Sequence, residues 1–73
     1  MHSHLLSVIV PAYKKELTIV KDLRQIKAVL DRIRYKSEII CVVDGMLDKT
    51  YENALQYTKR FNNMKVVGYQ TNK

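Results

Sequence analysis

The sequence predicts an α/β half-domain: a three-stranded parallel sheet, ordered 3-2-1, with two helices on one face. Three observations predict it. Three short apolar runs, rich in β-branched residues, alternate with two longer segments of helical periodicity. Those runs are continuous rather than strictly alternating, which suits strands covered on both sides, as in parallel sheets. The length, 73 residues, allows one domain or less, and a chain this short buries only about 60% of its unfolded surface.

Met1-His2-Ser3-His4 has neither the basic start nor the long apolar stretch of a signal peptide, and its two histidines read as a fraying terminus rather than a metal pair. Leu5 to Val10 is the first strand, stopped by Pro11, which has no ladder donor. Ile19, Leu23, Ile26, Leu30 and Ile33 then recur at spacings of four and three, predicting an amphipathic helix from about Glu16 to Tyr35. Glu16 at its start and Arg32, Arg34 and Lys36 at its end suit the helix dipole. Glu38 to Val43 is the second strand, closed by the turn signal Asp44-Gly45. A second helix is expected from Asp48, as N-cap, to Phe61, with Tyr51, Ala54, Leu55, Thr58 and Phe61 inward and Asn62-Asn63 as its stop. Met64 to Gly68 is the third strand. Right-handed crossovers between parallel strands give a Rossmann-like β-α-β-α-β half-domain spanning residues 1–73. One sheet face then lacks a helix layer and the first strand lies at an open edge, as in half of a larger doubly wound domain.

Composition narrows the function classes. Hydrophobic residues at 47% and charged residues at 27% describe a soluble globular chain, and no apolar run nears the roughly 18 residues a spanning helix needs. A single cysteine, Cys41, excludes an intrachain disulfide and points to the cytoplasm or the cytosolic face of a membrane. The formal charge of +6 invites phosphate-bearing partners. The basic residues are scattered, however, with no RNA-binding motif or zinc-finger spacing, so no specific nucleic acid is expected. A Walker lysine loop, GxGxxG, CxxC and HExxH are all absent from the sequence.

Ligands of open α/β sheets bind beyond the carboxyl ends of the strands. Pro11-Ala12-Tyr13-Lys14-Lys15-Glu16, Asp44-Gly45-Met46-Leu47-Asp48 and Tyr69-Gln70-Thr71-Asn72-Lys73 meet there. The Asp44 carboxylate suits hydrogen bonds from a base or ribose, or merely shapes the turn with Gly45; Tyr13 suits stacking on a base or packing at the sheet edge. Cys41, mid-strand among apolar neighbours, reads as a buried thiol rather than a nucleophile.

Two stretches carry a resemblance. Ser7-Val8-Ile9-Val10-Pro11-Ala12-Tyr13 is similar to the opening of family-two glycosyltransferases, and Glu38 to Gly45 followed by Asp48 and Thr50 resembles that family's second signature. Asn72 matches the start of its asparagine-x-glycine loop, and the dolichol-phosphate or polyprenol-phosphate sugar transferases are the nearest in flavour. The resemblance implies a GT-A fold whose first half binds the nucleotide of a nucleotide-sugar donor. It implies nucleotide contacts at Pro11, Ala12, Tyr13, Glu16, Asp44 and Gly45. Lys14 and Lys15 stand where the family carries asparagine and glutamate, Val43 where it carries the first of two aspartates, and Met46 where it carries serine.

The family's DxD motif, which holds a divalent metal (Mg²⁺ or Mn²⁺) on the donor diphosphate, has no match here, nor does its later acidic base. The resemblance therefore implies an inverting parent transferase, a chain that by itself catalyses nothing, and no metal site within it. Any membrane contact would come through a part outside this chain. The rival expectation is a non-catalytic self-association or binding module. In either case the uncharged first-strand edge predicts a homodimer, two first strands pairing antiparallel into a six-stranded sheet.

Overall fold

The structure, a computed structural model, describes residues 5–70. His2, His4 and the stretch 71–73 with Asn72 lie outside the described residues. In chain order the elements are β1 (Leu5–Ala12), α1 (Ile19–Leu30), β2 (Lys36–Asp44), α2 (Thr50–Thr58) and β3 (Met64–Tyr69). β1 pairs parallel with β2, and β2 parallel with β3, so the order β1-β2-β3 is the expected 3-2-1 seen from its other side.

The core lies on one face of this sheet. In β2, Ile39, Cys41 and Val43 are at most 1% exposed, while Ile40 and Val42 between them are half-buried on the opposite face. This is the period-2 alternation of a strand. Ile19, Leu23 and Leu30 of α1, and Ala54 and Tyr57 of α2, close over the buried row with Ala12 and Met64. The two helices also pack on each other, which puts both on the same face. Among the described residues no helix covers the other face, and none is long and apolar enough to cross a membrane.

Several boundaries differ from expectation, each for a physical reason. β1 runs through Pro11 to Ala12 instead of stopping before the proline. The Ile39 N–H donates to the Asn63 carbonyl at 2.9 Å, toward β3. Successive residues of a strand turn their backbone groups to opposite sides, so the register Val8↔Ile39 and Ile9↔Ile40 directs the groups of Val8 and Val10 to β2 and those of Ser7, Ile9 and Pro11 outward. The missing N–H of Pro11 thus falls on the edge, where no ladder bond needs it.

α1 begins later than the periodicity suggests: residues 16–18 form only a turn, with the Thr18 and Ile19 N–H groups both donating to the Lys15 carbonyl, and Lys15 and Glu16 are tied to the start of α2. Its C-terminus tightens, with Arg32 N–H to Val29 O at 3.1 Å and Ile33 N–H to Leu30 O at 3.0 Å, before β2 begins at Lys36. Ile33 is therefore 37% exposed rather than buried in the stripe. In α2 the inward stripe is Thr50, Ala54, Tyr57 and Thr58, spaced at four, three and one. Tyr57, which meets the Phe61 ring at 5.3 Å, takes the inner place expected for Leu55, which is 42% exposed.

Candidate functional site

The carboxyl ends of the strands stand side by side, as the register requires: Pro11↔Val42, Ala12↔Val43 and Asp44↔Tyr69. Asp44 is exposed. Gly45 turns the chain at φ 81°, a left-handed conformation that glycine adopts without a Cβ penalty. Its N–H donates to the Tyr69 carbonyl at 2.8 Å, fixing the β2–α2 loop to the end of β3. Tyr13, 52% exposed, opens the β1–α1 loop, and Lys14 after it has φ 51°, the only positive value outside glycine among the described residues. Lysine pays a steric cost there that asparagine, the residue the resemblance leads one to expect, pays less of. The Lys14 Nζ stands 5.4 Å from the Tyr13 ring centroid.

A set of hydrogen bonds joins this loop to α2. The Lys15 N–H donates to Thr50 Oγ1 at 2.7 Å. Thr50, fully buried, donates its hydroxyl to Asp48 Oδ1 at 2.6 Å, and its N–H reaches the same oxygen at 2.9 Å. Lys49 N–H donates to Glu16 Oε1 at 2.8 Å, and Asn53 Nδ2 to the Glu16 carbonyl at 3.0 Å. Lys49 flanks α2 without a side-chain cap; Asp48, expected as the N-cap, does that work from one residue further out. The Thr50 hydroxyl and N–H hold the Asp48 carboxyl below its ordinary range, helped by the positive charge of Lys14. Lys14, Lys15, Glu16, Leu17, Thr18 and Asp48 line a shallow cleft beside this network.

The expected site residues therefore divide. Pro11 and Asp44 share the open face at the strand ends, with Tyr13 and Gly45 in the loops beyond. The Ala12 side chain is 3% exposed in the core, so only its backbone is offered to a ligand. Glu16 faces α2, its carboxylate engaged by Lys49. Thr50 and Asn53, which were not among the residues expected to contact a nucleotide, build the loop junction; the Asp48-x-Thr50 spacing was the signal for the first of them. Val43 is fully buried, a core position here, and Met46 packs over Gly68, where an added Cβ would come within 2.5 Å of Met46 Cε. Burial pushes the Cys41 thiol up to about 11, so it is protonated at neutral pH and no nucleophile. Among the described residues no three His, Cys, Asp or Glu side chains gather as a metal site.

A sequence model of glycosyl transferase family 2 matches residues 7–73. A dolichyl-phosphate beta-glucosyltransferase of Trichomonas vaginalis is 38% identical over 63 residues, which cover 80% of this chain and 19% of that protein. The chain thus spans about a fifth of the length of the curated relative it matches. No solved structure matches the chain.

Proposed function

Since the chain belongs to glycosyl transferase family 2, we propose that it forms the nucleotide-recognition part of a transferase that takes its sugar from a nucleotide-sugar donor. The carrying observation is the meeting of Pro11–Tyr13 with Asp44–Gly45 at the carboxyl ends of β1 and β2. In this reading Asp44 accepts hydrogen bonds from the base or ribose, Tyr13 offers a ring for stacking, and the backbone of Pro11 and Ala12 floors the site. Glu16 supports the site from behind, through Lys49. The whole reaction is direct displacement with inversion at the sugar, on the cytosolic side of a membrane. Its divalent metal, its base and its membrane contact are supplied by segments other than residues 5–70. The chain alone then transfers no sugar and hydrolyses no donor.

Nuclear magnetic resonance titration with uridine and guanosine diphosphates, with and without Mn²⁺, tests this reading. Half a site supports a millimolar dissociation constant, about −4 kcal/mol, with shifts centred on Tyr13, Asp44 and Gly45. Shifts confined to surface lysines and unchanged in Asp44→Ala would reject it, leaving only attraction of phosphate to a basic surface.

A second reading, self-association, is favoured by the outer edge of β1. Leu5, Leu6 and Ile9 there, with Val29, Ile33 and Tyr35 nearby, are each between 37% and 60% exposed, and β1 carries no charge. A second copy pairing β1 antiparallel would bury this strip. The probe is Ile9→Pro, because the Ile9 N–H faces the edge and its loss spares the β1–β2 ladder. Sedimentation should give a dimer for the parent chain and a monomer for Ile9→Pro; a concentration-independent monomer for the parent chain would end this reading.

A further inference from the structure

We propose that Thr50, oriented by Asp48, is the positioning residue of the nucleotide site: it holds the Lys15 N–H, and through it the segment Tyr13-Lys14, at the carboxyl ends of β1 and β2, where Asp44 also lies. The ligand half of this rests on the nucleotide reading above; the loop half stands on geometry alone.

Thr50 Oγ1 has two bonds with fixed directions. It donates to Asp48 Oδ1 at 2.6 Å, and that leaves a lone pair for the Lys15 N–H at 2.7 Å. An ionised carboxylate only accepts, so Asp48 fixes which way the hydroxyl proton points. Thr50 is fully buried and no buried polar side-chain atom among the described residues lacks a partner, so the junction is completely satisfied. Lys14 supplies the second observation. A lysine at φ 51° persists only where its surroundings over-determine it, and the next residue's N–H is the group Thr50 holds. The bonds from Lys49 and Asn53 to Glu16 tie down the far side of the same loop. The β1–α1 loop is thus held to α2 at Lys15 and at Glu16, and Tyr13-Lys14 spans the short stretch between that anchor and the end of β1. A site whose loop is already ordered loses less entropy on binding.

The test compares Thr50→Val, which keeps the shape and removes the hydroxyl, with Thr50→Ser, which keeps the hydroxyl, and with Asp48→Asn, which keeps the shape and removes the charge. Amide hydrogen exchange is read at Lys15 against Ile39 and Cys41 in the core, and uridine diphosphate is titrated into each variant. Thr50→Val should speed exchange at Lys15 far more than in the core and weaken uridine diphosphate binding about tenfold, with Thr50→Ser restoring both and Asp48→Asn falling between. Equal loosening of Lys15 and the core would make Thr50 merely structural and overturn the proposal, as would a Lys15 amide that stays protected in Thr50→Val. If Thr50→Val does not fold, Thr50→Ser and Asp48→Asn decide, since a positioning role predicts wild-type binding in the first and weakened binding in the second. A parent chain whose Lys15 amide behaves as expected but which shows no saturable uridine diphosphate binding upholds the loop clamp and rejects the nucleotide reading, so the two failures are separate.

Discussion

Ile39 and Ile40 are neighbours in β2 with the same side chain, yet Ile39 is 1% exposed on the helix-covered face and Ile40 is half-buried on the open one. The contrast extends across the sheet. Cys41, Val43, Ala12 and Met64 on the covered face are no more than 6% exposed, whereas Ile9, Val67 and Tyr69 on the open face lie between 45% and 56%. Similar amino acids build both faces, so residue type does not decide burial here; the side on which α1 and α2 cross does. A chain of this size concentrates its stability on one face and leaves the other with apolar surface to cover.

The largest expected effect sharpens that contrast directly. Ile39→Ala removes a fully buried side chain and should cost about 3 kcal/mol, enough to unfold a marginal domain. Ile40→Ala, one residue along, should cost under about 1 kcal/mol because its side chain is already partly in water. Urea denaturation of both variants reads the difference, and equal losses would mean that the open face is covered in solution. A smaller pair lies in β3. Gly68 is on the covered face, where a Cβ would stand 2.5 Å from Met46 Cε and 2.7 Å from Tyr51 Cδ1. Gly68→Ala should cost about 1–2 kcal/mol as those side chains shift. Val67→Ala on the open face, 45% exposed, should change little. A neutral Gly68→Ala would show that Met46 swings clear.

How much of this was legible in the sequence varies by element. The three strands, their order and the single helix layer followed from runs and crossovers, because continuous β-branched segments separated by helical stripes leave few topologies open. Pro11 misled at the end of β1: proline blocks a ladder only when its nitrogen faces a partner, and which way it faces depends on pairing. The early start read for α1 failed because Lys15 and Glu16 are bonded to residues 33 or more positions away, which no local pattern reports. Leu55 and Tyr57 flank the row Thr50-Ala54-Thr58 on opposite sides, and the local spacing does not choose between them; the structure buries Tyr57. At the strand ends, the positions of Asp44, Gly45 and Tyr13 at or just beyond β1 and β2 were legible from the apolar runs before them. The Asp48-x-Thr50 spacing marked Thr50, but its bond from the Lys15 N–H was not legible, because a buried hydroxyl takes its meaning from the backbone it meets.

The smallest expected effect concerns the polar junction that joins the two loops, and pH isolates it. The Asp48 carboxyl lies below its ordinary value of 3.8, first because the Thr50 hydroxyl donates to it, then because the Thr50 N–H does. A carboxyl that is more acidic folded than unfolded contributes stability above its unfolded value, and that contribution disappears as pH falls through the folded one. The Asp48 contribution to the urea midpoint should therefore fade below about pH 4 in the parent chain. Asp48→Asn keeps a carbonyl acceptor for Thr50 but has no charge to titrate. The gap between the two proteins should be constant above about pH 5 and shrink below pH 4, since protonation removes from the parent what the mutation has already removed. A gap unchanged down to pH 2.5 would mean that the Asp48 charge adds nothing to the junction, and that Thr50 is oriented by the position of its acceptor rather than by its ionisation.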